Sequence, residues 1–175
     1  MLLGPFVLAA CQAGSVSNWN GPARHEFLAQ NNGHKVRAVV RHENFRARGR
    51  TVTLVKEGDW YTQILLKGKP VQGFDGFDAN TVRQYKTPAK LLEARATEIV
   101  QFDVWIDGKV HHIPRRLFED LMNPDLGPDY DFVWISKDGK RVTVKVMGSD
   151  AAGGWVSVWS WQCGRWVRTE VDHDC

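Results

Sequence analysis

Apolar and polar residues alternate most cleanly between Ile99 and Ile106. Val100, Phe102, Val104 and Ile106 fall on one side, and Gln101, Asp103 and Trp105 on the other. A period of two with one apolar side predicts an antiparallel strand with one buried face. Val142, Val144 and Val146 alternate with Arg141, Thr143 and Lys145 in the same manner. Residues 36–41 and 51–55 are rich in β-branched side chains, and a further strand over 60–67 follows the turn residues Glu57-Gly58-Asp59. Asp107-Gly108 separates a strand ending at 106 from one over 110–113. Asp138-Gly139 separates 132–135 from 142–147, and Cys163-Gly164 separates 155–161 from 165–171. A pair ending in Gly, above all Asp-Gly, tolerates the positive φ angles of a tight hairpin. Lys67-Gly68-Lys69 is a weaker turn of the same kind.

Three segments carry a different period. Thr87 suits a helix cap and Pro88 the first helical position, and Leu91, Leu92 and Ala96 form an apolar side. Pro114 starts a predicted helix that runs to about Met122, with Leu117, Phe118, Leu121 and Met122 as its stripe. A third helix is expected over 23–30. Asn123-Pro124 stops the second, and residues 123–129 hold too many breakers to be regular. The fold class read from this pattern is mainly β: an antiparallel sandwich or open barrel with two or three short helices. A composition shift near 87–98 is a candidate subdivision of the globular part.

Composition adds limits. The chain has 175 residues, 43% apolar and 25% charged, an ordinary globular balance that can bury a core. Its 23 Lys and Arg against 20 Asp and Glu leave a net charge of +3, too small an excess to point to nucleic acid. No run approaches the roughly 18 apolar residues of a spanning helix.

The first ten residues, Met-Leu-Leu-Gly-Pro-Phe-Val-Leu-Ala-Ala, are uncharged, and Cys11 follows directly. An apolar stretch ending in small residues is the pattern of a secretory signal. Leu8-Ala9-Ala10-Cys11 resembles the lipobox of bacterial lipoproteins. That resemblance implies a signal peptide over 1–10 and lipidation of Cys11 with a diacylglycerol. It further implies a cell-envelope location, at the outer membrane facing the periplasm in a Gram-negative cell, because Gln12 rather than Asp follows the cysteine. Residues 11–22 are polar and rich in small residues, as a tether should be, leaving 23–175 as the globular domain. With Cys11 acylated, export makes Cys163 and Cys175 candidates for a disulfide closing the last hairpin.

Candidate chemistry is sparse. His111 and His112 are adjacent on a predicted strand, so their side chains point to opposite faces. No metal-ligand spacing, nucleophile elbow, phosphate loop or dinucleotide fingerprint occurs, so no catalytic residue, metal or other cofactor is expected. Phe74-Asp75-Gly76-Phe77-Asp78-Ala79-Asn80 offers oxygen ligands but not EF-hand spacing, and a loop that caps itself explains it. Among the eight tryptophans, Trp155, Trp159 and Trp161 share one strand face and Trp166 lies on the partner strand. Core packing is the first explanation; flat rings also pack on sugar faces and anchor interfaces. Arg46, Arg48 and Arg50 form a short basic loop able to touch anionic lipid or glycan phosphate, or simply to be solvated. The function expected is a membrane-tethered, non-catalytic lipoprotein that binds an envelope glycan, another envelope component or a partner protein. The alternatives are an exported inhibitor or immunity-type lipoprotein, with a Ser/Gly-rich loop at 148–154, and a glycan-acting hydrolase with two acids in a cleft.

Overall fold

The computed structural model describes residues 23–74, 76–126, 132–148 and 154–171. In chain order its elements are β1 (Ala23–Asn31), β2 (His34–Asn44), β3 (Val52–Glu57), β4 (Trp60–Leu66), β5 (Lys69–Pro70), β6 (Phe77–Asp78), α1 (Ala79–Arg83) and α2 (Pro88–Arg95). There follow β7 (Thr97–Ile106), β8 (Lys109–His112), a 3₁₀ turn (Arg115–Leu117), β9 (Pro124–Asp125), β10 (Phe132–Ile135), β11 (Val142–Gly148), β12 (Trp155–Gln162) and β13 (Arg165–Val171). The protein is mainly β, with three antiparallel sheets that do not close into a barrel. The first sheet has the order β1-β2-β7-β8. The second runs β10-β11-β12-β13, with β9 also on β11. The third is β3-β4-β5, with β6 on β4.

The first two sheets form a sandwich. Phe27, Val36, Val40, Phe102 and Val104 from one meet Val133, Ile135, Val144, Val146 and Trp159 from the other in a continuous buried cluster. Phe102 meets the Trp159 ring edge-on at 4.8 Å. At one side the sheet edges close together, where Asn31 donates to the Ile135 carbonyl at 2.9 Å and Asn32 to that of Lys137 at 3.2 Å. A second, smaller core lies under the third sheet, where Phe45, Ile64, Leu66, Leu92, Ala96 and Met122 pack together. The segment near 87–98 holds α2, and the first sheet spans it, since β2 before it pairs with β7 after it.

The hairpins follow their turn residues. Asp107-Gly108, Cys163-Gly164 and Lys67-Gly68 are two-residue connections in which the first residue has φ of 48°, 50° and 52°, and each glycine is also positive. The Asp138-Gly139 connection is longer, closed by the Ser136 amide donating to the Arg141 carbonyl at 2.9 Å. The α2 helix starts as its sequence predicts, with the Thr87 hydroxyl accepting from the Lys90 amide at 3.2 Å.

Two helix expectations are corrected. Residues 23–30 belong to strand β1, not to a helix. Asn32-Gly33, with φ of 48° and 84°, folds this segment onto β2, and His25 and Phe27 then alternate inward against Arg24 and Leu28 outward. Residues 114–122 form only the 3₁₀ turn, a further turn over 118–120 and isolated bridges at Leu121 and Met122. The Gln72 amide donates to Asp120 and the Met122 amide to Gln72, so tertiary pairing takes the groups a helix would need. One element was not foreseen: Asp78 caps the short helix α1 by accepting from the Asn80 and Thr81 amides at 2.8 and 3.0 Å. The self-capping explanation of that acidic stretch thus holds at Asp78, while Asp75 lies outside the described residues.

Candidate binding groove

Strand β12 carries Trp155, Ser157, Trp159 and Trp161 on its inner face, and β13 adds Trp166 and Arg168 opposite Trp161 and Trp159. Trp155 and Trp159 are core residues. Their indole N–H groups donate to the carbonyls of Met122 at 2.8 Å and Leu117 at 3.0 Å, tying the segment 115–122 across the sandwich. Trp166 is also buried, and its Nε1 has no hydrogen-bond partner. Trp161 is different. It sits half-buried at the margin of the core, its ring centroid 4.4 Å from that of His111 and 5.4 Å from that of Trp166. Three of the four tryptophans singled out from the sequence therefore pack the interior, and one reaches the surface.

That surface is an open groove of about 570 Å³ between β8 and the tip of the β12–β13 hairpin. His111, Pro114, Arg116, Trp161, Arg165 and Trp166 line it. Burial, then Lys109, pushes the His111 pKa down, so the ring on Trp161 is neutral at neutral pH. Arg116 and Arg165 are exposed and have no carboxylate partner among the described residues. Arg168 has a structural task at the groove floor, bonding Asp120 at 2.6 Å, the Ser157 hydroxyl at 3.1 Å and the Leu117 carbonyl at 3.3 Å. No Asp or Glu is among the described residues lining the groove. Flat rings beside two free guanidiniums can pack a sugar face and pair with an acid group it carries. Arg116 and Arg165 were not singled out from the sequence, and His111 only as one of two adjacent histidines, because only the pairing of separate segments brings them to Trp161.

The basic loop divides on inspection. Arg50 is mostly buried and grips Glu98 through two bonds of 2.7 Å, with its guanidinium 4.5 Å from the Phe45 ring centre. It is a structural cation rather than an anion contact. Arg46 and Arg48 are exposed. The two adjacent histidines diverge as expected: His111 meets Trp161, and His112 pairs through Nδ1 with Asp103 at 2.6 Å. Among the described residues no group of three or more His, Cys, Asp or Glu could hold a metal ion, and no helix is long and apolar enough to cross a membrane.

The expected Cys163–Cys175 bridge falls across the limit of the described residues. Cys163 is an exposed free thiol in the hairpin turn. The register sets Val171 opposite Val156, at the far end of the hairpin from that turn. Cys175 lies outside the described residues. So do Cys11 and residues 149–153 of the inhibitor-type loop. Comparison with known proteins finds no family, curated protein or solved structure that matches the chain.

Proposed function

We propose that this protein is a non-catalytic lipoprotein of the bacterial cell envelope, held on the membrane through Cys11, that binds a negatively charged envelope glycan in the groove. The observation that carries the reading is the Trp161 ring, seated between His111 and Trp166 beside the unpartnered Arg116 and Arg165. A ring fixed by its neighbours loses little freedom on binding, and guanidiniums without an internal partner are available to an acid. The lack of a lining carboxylate among the described residues favours binding over glycan hydrolysis, which needs two acids flanking the bond.

Titration of the full chain with soluble peptidoglycan fragments, followed by tryptophan fluorescence, tests the reading. Saturable quenching is expected, and Trp161→Ala should weaken binding by about 2 kcal/mol, roughly thirtyfold. Arg116→Gln should weaken it further and lessen its salt dependence. Unchanged affinity in Trp161→Ala would reject the groove. The anchor is tested separately by membrane fractionation, where Cys11→Ser should move the protein to the soluble fraction.

A further inference from the structure

A second concavity, of about 360 Å³, lies on the other side of the segment 114–120: Arg115 lines it, whereas the next residue, Arg116, lines the groove. Its walls are residues 66–71 and 115–120, held side by side by the parallel bridge between Gln72 and Leu121 and by the Gln72 amide donating to Asp120 at 2.8 Å. Leu66, Pro70 and Val71 give it an apolar floor, and Arg48, Lys67, Lys69 and Arg115 stand around the rim.

Charge in this cavity is unbalanced. Five cations, counting Arg50, line it against two carboxylates, an excess of three positive charges. Of the two acids, Asp120 is already held by Arg168 at 2.6 Å. Arg50 is spent on Glu98, and Arg115 reaches that same carboxylate only at 3.2 Å, behind the two shorter Arg50 bonds. Arg48, Lys67 and Lys69 have no carboxylate partner among the described residues. Like charges gathered in a concave, partly apolar site repel one another, and a bound anion relieves that repulsion. Lys67 also occupies a turn position, φ of 52°, that Asn or Asp fills more easily. The strand pair β4–β5 thereby sets two ammonium groups, one on each side of Gly68, over the cavity.

We infer that this cavity is a binding site for a dianionic phosphate group, a phosphomonoester carried by a soluble molecule or by a lipid headgroup. A dianion offsets two of the three excess positive charges. Donors contributed to the lining by Arg48, Lys67, Lys69 and Arg115, on three separate stretches of chain, suit tetrahedrally arranged oxygens better than a planar carboxylate. The inference does not depend on the glycan reading of the groove.

The test uses the full chain carrying Cys11→Ser, so that no acyl chain contributes. Inorganic phosphate is titrated at low, constant ionic strength while amide resonances are followed by NMR. Saturable shifts are expected at Arg48, Lys67, Gly68, Lys69 and Arg115, and Lys67→Gln with Lys69→Gln should weaken binding about tenfold or more. The charge-matched pair Lys56→Gln with Lys137→Gln, away from the cavity, should leave affinity unchanged. Vesicles of phosphatidylcholine with and without phosphatidic acid separate the two sources. Recruitment that needs both phosphatidic acid and the two lysines assigns a lipid headgroup; phosphate binding without recruitment assigns a soluble ligand. Absence of saturable shifts, or equal weakening by both double variants, would overturn the inference.

Discussion

Two histidines set a pH limit on the fold that neither residue announces in the sequence. His25 on β1 and His42 on β2 both point into the sandwich, buried and stacked with centroids 5.8 Å apart. Nε2 of His25 and Nδ1 of His42 lack hydrogen-bond partners. Burial, and then the neighbouring His25, lowers the His42 pKa to about 4; burial also lowers that of His25, with Asp125 opposing. Above the unfolded value of about 6.5 both states carry a neutral ring and stability is full. As pH falls from there through 4, the unfolded chain takes up protons that the folded chain resists, and His42 alone withdraws up to about 3 kcal/mol. His42→Leu should flatten this decline, read as the urea midpoint at several pH values between neutrality and about 4; parallel declines in both proteins would exclude His42 as the group. Arg50 teaches a related lesson. In the sequence it is one cation of a basic loop, but its partner Glu98 lies 48 residues away, so its burial became visible only once β2 had paired with β7.

At the scale of elements, the strands were legible because one buried face writes a period of two into the chain, as in β7 and β11. The segment 114–122 was misread for a physical reason. Its apolar residues are spaced as on a helix, yet Phe118 and Leu121 enter the sandwich core while Met122 enters the smaller one. A linker between two cores can mimic an amphipathic stripe without sharing its backbone. The helix expected at 23–30 likewise competed with Asn32-Gly33, a strong hairpin signal that outweighs the helical spacing before it. Glycines separate turn geometry from packing. Gly33 has φ of 84° and open space around it, so Gly33→Ala should cost about 1 kcal/mol through backbone strain alone. A methyl group at Gly148 would come within 2.2 Å of the Trp155 ring, itself packed in the core. Gly148→Ala should therefore cost more, about 3 kcal/mol, and should perturb the near-UV circular dichroism of the tryptophans, which Gly33→Ala should leave intact.

Over the whole molecule, the sandwich is shut along the edges of β1 and β10, while the side between β8 and β13 is crossed by a chain segment rather than by strand pairing. Both concavities flank that segment. A groove assembled in this way draws residues from β8, the 3₁₀ turn and the last hairpin, positions about 50 residues apart, and no local pattern records their meeting. Trp161 was legible as a candidate, with Trp166 on the partner strand; the approach of His111, Arg116 and Arg165 and its distinction from Trp159 were not. Cys163 stands exposed in the turn of the same hairpin, beside Gly164 and Arg165 at the groove rim. In the native full chain with Cys11→Ser, Cys163 should react with a thiol-directed reagent without prior reduction. A bulky adduct there should weaken binding of peptidoglycan fragments, because the label projects from the tip of the wall that carries Trp161. Protection of Cys163 until a reductant is added would mean instead that it is bridged, and the groove rim would then carry a disulfide in place of a thiol.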